Sequence, residues 1–374
     1  MRVFHIISGL GPGGAEHMLW RLIAATPGIS HAVFSLTGTG VLSDRLRMAG
    51  ANLVNDERDR GKFRDLASLR NRIVAYAPDV IQGWMYHGNL AAQLMRSAAP
   101  HAALLWNVRQ SLTDRRLTKP TTRTVIRALA FLSRAPDAII YNADSAADDH
   151  EALGFVRDKR VILPNGFDTA LFKPDLGHRR TIRAELGLSD DQLAIGFVAR
   201  FDPWKNHEGF FQMAARVAER HPAAAFVLAG KGMEWSNPAL VALIGADLRD
   251  RVTLLGDRRD VPAINAALDI ACNVSHGEGF PNAVGEAMAC ELPCMVTPVG
   301  ASADLVGDCG ILAKSPRSDD LFAAMTAMLA QSTEMRMALG IAARQRIVNH
   351  FSIEVVAKRY LNLYALAADR SAHV

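Results

Sequence analysis

Two doubly wound α/β halves, each a parallel sheet flanked by helices, are what this sequence predicts. Three observations carry the prediction. Short apolar runs alternate with helical patterns from end to end, glycine-rich turns follow several of the runs, and the chain has 374 residues. That length is more than one hydrophobic core usually serves, so two domains are expected.

In the first half, apolar runs fall near 2–8, 31–36, 79–84, 102–108, 137–141 and 159–163. Helical patterns separate them, as at 15–25 and 66–77. In the second half, runs fall near 193–199, 224–229, 251–255, 268–274, 293–297 and 309–313. Strands buried on both faces read as continuous apolar runs, and regular alternation with helices implies parallel sheets with right-handed crossovers. A stretch rich in charge, from Phe167 to Asp191, reads as the boundary. Residues 319–368 read as helices only.

The most informative segment is Gly277-Glu278-Gly279-Phe280-Pro281-Asn282-Ala283-Val284-Gly285-Glu286-Ala287, which follows the apolar run Leu268 to Val274. Pro281 suits the first helical position, since its missing N–H is an orphan donor there. The helix then runs through Glu286 to about Ala289. Its first amides, near Phe280 to Ala283, point to the strand's carboxyl end, and the helix dipole makes that an anion site. Glu278 lies in the loop. Glu286 lies about a turn and a half inside the helix, where it suits two vicinal hydroxyls better than a phosphate. Amides for a diphosphate, one carboxylate for a ribose and one for a sugar describe a nucleotide-sugar site.

Composition sets outer limits. No run of 18 or more apolar residues occurs, so a transmembrane helix is not expected. The start, Met1 to Ser8, is too short and too soon glycine-rich for a signal peptide and reads as a first strand. Cys272, Cys290, Cys294 and Cys309 show no zinc or haem spacing, which fits reduced thiols in a cytoplasmic protein. The net charge of +4 is uneven: residues 1–168 carry 21 Lys and Arg against 15 Asp and Glu, and the remainder 21 against 23. The excess concentrates in Arg96, Arg109, Arg115, Arg116, Lys119, Arg123, Arg127 and Arg134. It is either a solvated helix face or a contact with anionic lipid or an acceptor diphosphate. Nucleic acid is not expected, because no stacking pattern or binding motif accompanies these residues.

The 277–287 segment resembles the donor-site signature of retaining GT-B glycosyltransferases of family 4, and Arg109-Gln110-Ser111 with the basic stretch after it resembles members that build bacterial surface polysaccharides on lipid carriers. The resemblance extends further. Gly196-Phe197-Val198-Ala199-Arg200 with Lys205-Asn206-His207 is similar to that family's strand, arginine and lysine motif. Leu228-Ala229-Gly230-Lys231-Gly232 and Val252-Thr253-Leu254-Leu255-Gly256 match its next strand ends. Leu163-Pro164-Asn165-Gly166-Phe167-Asp168 matches its joining segment, and Gly13-Gly14-Ala15-Glu16 its first glycine-rich loop.

The resemblance implies two Rossmann-like domains whose parallel sheets face each other across a cleft. Residues 1–168 bind the acceptor, residues 169–352 bind the nucleotide sugar, and residues 353–374 form a helix that crosses back. It implies transfer of a hexose-type sugar from a nucleoside diphosphate, with UDP expected, to a glycan or lipid-diphosphate acceptor. Retention and peripheral contact with the inner face of the membrane belong to the same implication. His87, Arg200, Lys205 and Glu278 are then the expected catalytic residues. Gly279, Phe280, Pro281, Asn282, Ala283, Glu286, Gly230 and Arg258 would bind the donor, and Gly13, Gly14 and Arg109 the acceptor. No Asp-x-Asp pair occurs. Neither a metal nor another cofactor is therefore expected, with Arg, Lys and helix amides neutralising the leaving diphosphate.

Three alternatives stay open. Gly9, Gly11 and Gly14 fit the dinucleotide fingerprint of an NAD-dependent dehydrogenase, although the next strand, His31 to Leu36, ends in Thr37-Gly38-Thr39-Gly40 without the acid that would hold a ribose. A GT-B nucleotide-sugar epimerase and a sugar-binding protein without turnover are the others.

Overall fold

The computed structural model describes residues 1–54, 66–112 and 120–372. The chain divides into two units: Met1–Gly166 together with Ile353–Val374, and Phe167–Ser352.

The first unit is built on strands β1 (Arg2–Ile7), β2 (Ser30–Ser35), β3 (Asn52–Leu53), β4 (Val80–Trp84), β5 (Ala103–Val108), β6 (Ala138–Tyr141) and β7 (Arg160–Ile162). They run parallel in the order β3-β2-β1-β4-β5-β6-β7. Strand order reverses between β1 and β4, where Val3 faces Val80 and Ile7 faces Trp84. The final helix, Ile353–Ala372, packs Val356, Tyr360 and Tyr364 against Val3, Ile7, Trp84 and Leu105 in one buried cluster.

The second unit repeats the plan. Strands β8 (Leu193–Val198), β9 (Ala224–Ala229), β10 (Val252–Leu254), β11 (Ile270–Asn273), β12 (Cys294–Val296) and β13 (Gly310–Leu312) run parallel in the order β10-β9-β8-β11-β12-β13. Order reverses between β8 and β11. At such a switch point neighbouring crossovers leave in opposite directions and open a crevice beyond the carboxyl ends of the strands. The core on one face joins Phe197, Phe210, Phe226, Leu228 and Met325. On the other face Phe167, Val284, Met288 and Ile347 pack together.

The stretch expected to hold the boundary, Phe167 to Asp191, lies within the second unit. Phe167 and Phe172 are buried, and Leu176–Glu185 forms a helix capped by Asp175, whose side chain accepts from the His178 amide. The charges that suggested exposure are partnered: Arg179 and Arg183 both donate to Asp269, at 2.7 and 3.1 Å. The strand β3 was not expected, because two residues are too few for a period to register. Among the described residues no helix is long and apolar enough to cross a membrane.

Candidate functional site

The carboxyl ends of β8, β9 and β11 meet through their loops. The Ala199 amide donates to the Ala229 carbonyl at 2.9 Å, and the Phe201 amide to Lys231 at 2.8 Å. Gly230 stands at φ +140, and a Cβ there would collide with the Ala199 carbonyl. Only glycine fits that approach.

Beyond β8 the chain makes a 3-10 turn, Pro203–Lys205, started by Asp202, whose carboxylate accepts from the Trp204 amide. Asn206 then takes a left-handed conformation, φ 57 and ψ 49, and caps the helix His207–Arg220. Asparagine tolerates that backbone better than most residues. Its side chain accepts from Gly209 and donates to the carbonyls of Val274, at 3.0 Å, and Pro316, at 2.8 Å. The His276 amide donates to the Trp204 carbonyl. The loop after β8 is thereby fixed to the loop after β11.

This brings Lys205 and Glu278 together. Lys205 Nζ lies 2.5 Å from Glu278 Oε1, with the two side chains 20% and 9% exposed. Oε1 also accepts from Ser275 Oγ at 2.6 Å and from Asn273 Nδ2 at 3.2 Å. Arg200 lies beside this group in the chain, 66% exposed, with its guanidinium 3.0 Å from Asp202.

The helix after the loop spans Asn282–Ala289, with Pro281 as its N-cap rather than its first residue. The Val284 and Gly285 amides both donate to the Pro281 carbonyl, and the first amides of a helix point outward, away from its own turns. Glu286 is half-buried on the second turn. Gly279 fixes the approach through its carbonyl, which accepts from Ala301. The Phe280 ring stacks on Phe167, with centroids 6.1 Å apart, so its side chain serves packing. Gly300, at φ +55, lies where a Cβ would collide with the Glu278 carbonyl.

Arg258, expected at the donor, is engaged elsewhere. Its guanidinium bonds Asp260 at 2.7 and 2.6 Å and Glu185 at 2.6 Å, and these carboxylates raise its pKa. In the first unit, Arg109 corrects a second expectation. It is buried at the end of β5, where it donates to Asn165, Asn107 and Tyr360 at 3.0, 3.1 and 2.9 Å, and to the Leu163 carbonyl. Burial lowers its pKa. A guanidinium spent on internal acceptors holds the fold together and presents no open contact to an acceptor phosphate.

His87 is the third residue of the helix Met85–Leu94 that follows β4, and burial lowers its pKa. Met85 before it stands at φ 61. A bulky residue in that region is strained, and such strain gathers at functional sites. Gly13 caps the helix Gly14–Ala24, and the Glu16 carboxylate folds back against it. Asn273, Ser275 and Met85 were not among the residues expected at the site. The polar residues interrupting the end of an apolar run, Asn273-Val274-Ser275, were the available signal for the first two.

A doubly wound sheet with a helix start, paired Lys and Glu and a half-buried second Glu at its switch point defines an α/β protein whose ligand crevice lies at the carboxyl ends of its strands. Family models agree. "Glycosyltransferase Family 4" matches residues 12–171, and "Glycosyl transferases group 1" matches residues 192–331. The chain belongs to the glycosyltransferases that these two models describe.

Among curated relatives, putative glycosyltransferase EpsF of Bacillus subtilis is 33% identical over 146 residues, 38% of this chain. UDP-Gal:alpha-D-GlcNAc-diphosphoundecaprenol alpha-1,3-galactosyltransferase of Escherichia coli is 31% identical over 150 residues, 40% of this chain. D-inositol 3-phosphate glycosyltransferase of Nocardia farcinica is 25% identical over 264 residues, 68% of this chain. The matched stretches span 36%, 39% and 57% of these relatives' own lengths. Among solved structures, Anabaena HepE in complex with UDP aligns with a TM-score of 0.82 at 19% identity, covering 98% of this chain and 100% of that one. Sucrose-phosphate synthase from Thermosynechococcus elongatus aligns at 0.78 and 19%, covering 98% and 99%. Both likenesses are of fold, and the neighbours share the GT-B architecture.

Proposed function

We propose that the chain is a retaining, metal-independent glycosyltransferase. It moves a hexose-type sugar from a nucleoside diphosphate, with UDP the first candidate, to a hydroxyl of a glycan or lipid-diphosphate acceptor in surface polysaccharide assembly. The observation that carries this reading is the meeting of Lys205 and Glu278 beside the start of the helix Asn282–Ala289. Ammonium and helix amides suit the diphosphate, which gains charge as the sugar leaves. Arg200 adds a second cation at the same strand end. Glu278 suits a sugar hydroxyl and Glu286 the ribose. His87 is proposed to face the transferred sugar, and Gly13 and Gly14 the acceptor.

The retaining outcome rests on family membership, and lipid-linked acceptors are the substrate of the Escherichia coli relative by its name. Independence from metals rests on protein-borne cations standing where the diphosphate charge would develop. Among the described residues, no three His, Cys, Asp or Glu gather as candidate metal ligands.

Contact with the membrane is proposed for the helix Pro120–Leu132. Arg127 and Phe131 are exposed on one face, Phe131 by 88%, while Ile126 and Leu129 are buried opposite. Arg115, Arg116 and Lys119 of the basic stretch lie outside the described residues.

A panel of nucleotide sugars and free nucleotides, screened by thermal shift with and without EDTA, tests the donor assignment. A bound donor raises Tm by mass action. A rise with UDP and UDP-sugars that survives EDTA is expected. A rise with none of these compounds would end the donor assignment, and a rise that EDTA removes would end metal independence.

A further inference from the structure

The Lys205–Glu278 pair has a consequence for the nucleotide as well as for the sugar. Glu278 Oε1 receives three donors: the Lys205 ammonium, the Ser275 hydroxyl and the Asn273 amide. Its second oxygen, Oε2, is left to meet a substrate hydroxyl. The loop that holds Ser275 and Asn273 is itself braced. The Ser275 amide donates to Asn273 Oδ1 at 3.4 Å, Thr297 Oγ1 to the Ser275 carbonyl at 2.7 Å, and the Thr297 amide to the Asn273 carbonyl at 2.9 Å. Ser275 and Asn273 are buried, and the carboxylate is nearly so. In such surroundings a charge pair is screened little.

We infer that Glu278 is the built-in counter-ion of Lys205, held in that place by Asn273 and Ser275 as positioning residues, so that a nucleoside diphosphate must compete with Glu278 for the ammonium. The inference rests on the transferase reading of this site. One carboxylate then does two things. Oε2 recognises the sugar, while Oε1 moderates the grip on the diphosphate and favours release of the spent nucleotide.

The test is calorimetric titration with UDP, GDP and ADP of the wild type, Glu278→Gln, Ser275→Ala, Asn273→Ala, Lys205→Ala and the Lys205→Ala/Glu278→Gln double variant. Glutamine keeps the shape and removes the charge. Glu278→Gln is expected to tighten the bound nucleotide about tenfold, and the double variant to bind like Lys205→Ala alone. Ser275→Ala and Asn273→Ala should each tighten it by a smaller factor, about threefold, and Ser275→Thr, which keeps the hydroxyl, should return to the wild-type value. Residues that only brace the loop would weaken nucleotide binding on removal. Should Ser275→Ala not fold, the glutamine variant and its double decide alone. Glu278→Gln binding no tighter than the wild type, or a gain that persists without Lys205, overturns the inference and leaves the transferase reading standing. A wild type that binds none of the three nucleotides overturns both.

Discussion

The two sheets share a plan and differ at their carboxyl ends. Both run parallel and both reverse order beside their first strand. In the second unit the strand ends place a partly exposed ammonium, a carboxylate and a helix start together. In the first unit the polar side chains at and beneath the strand ends turn inward. Arg109 is spent on Asn107, Asn165 and Tyr360. Tyr86 bonds His150 at 3.0 Å, and His150 in turn bonds the Ala146 carbonyl. Beneath them lies a directed chain: Trp84 Nε1 donates to His5, His5 to His31, His31 to Thr26, and Thr26 to the Leu22 carbonyl. Each neutral imidazole in it donates once and accepts once. One architecture therefore supports two uses of polarity. In one, charge is kept for a ligand. In the other, these polar groups bond one another and hold the fold.

Two substitutions should break this contrast most sharply. Lys205→Ala is expected to lower kcat/KM by about 10²-fold, because its charge acts on the leaving group as it develops, and to lose less thermal stability than Arg109→Ala. Arg109→Ala should do the reverse. It removes the charged donor that Asn165, Asn107 and Tyr360 share, at a cost on the order of 3 kcal/mol, while UDP affinity stays at the wild-type value. Melting curves and UDP titrations of both variants check the pair. If Arg109→Ala folds normally and loses activity, the first unit also keeps a charge for a ligand.

The same contrast explains what the sequence disclosed. The longer strands were legible because parallel strands buried on both faces are mostly apolar, as β9, Ala224–Ala229, is throughout. The loop and helix around Glu278 were legible because Gly, Pro and Glu stand close together in sequence. Partnerships across the chain were not. Arg109 is 56 residues from Asn165 and 251 from Tyr360, and Arg258 is 73 from Glu185. A sequence shows a cation without showing who already holds it. Arg109 and Arg258 therefore read as ligand contacts, and the charged stretch Phe167 to Asp191 as the boundary.

Acid should separate the units by a smaller margin. Among the described residues, burial holds His5, His17, His31, His87 and His150 of the first unit below the ordinary histidine value, with His17 and His31 at about 4. In the second unit His207 is so held, also at about 4. A histidine kept neutral in the fold costs nothing above its unfolded pKa, near 6.5. Below that value the unfolded chain takes up protons that the fold refuses, so stability falls as pH drops from about 6.5 toward 4. The first unit, with more such groups, should lose protection first. Hydrogen exchange at pH 7 and pH 5, corrected for intrinsic rates, should show β1 and β4 opening before β8 and β11. His31→Leu should flatten the dependence by about one proton, roughly 1.4 kcal/mol per pH unit. Equal loss in both units would mean that the His5–His31 chain accommodates a proton.

The smallest expected effect concerns the outer surface, where the first unit does keep charge outward. Arg123 and Arg127 are exposed on the helix Pro120–Leu132, Arg134 follows it, and Phe131 stands nearly fully in solvent. A large aromatic beside cations suits an interface of lipid headgroups, where the ring enters the boundary and each cation contributes about 1 kcal/mol. Salt screens the cations and leaves the ring's contribution in place. The protein should sediment with anionic vesicles at low ionic strength, leave them at high ionic strength, and ignore neutral vesicles. Arg127→Glu with Arg134→Glu should weaken the binding by its electrostatic part, and Phe131→Ser should weaken it by a part that salt does not change. UDP affinity should be the same in all three proteins, since these residues belong to the first unit and the nucleotide is assigned to the second. A wild type that stays in solution with anionic vesicles at low salt would make this helix an ordinary solvated face. It would also turn the choice of acceptor toward a soluble glycan.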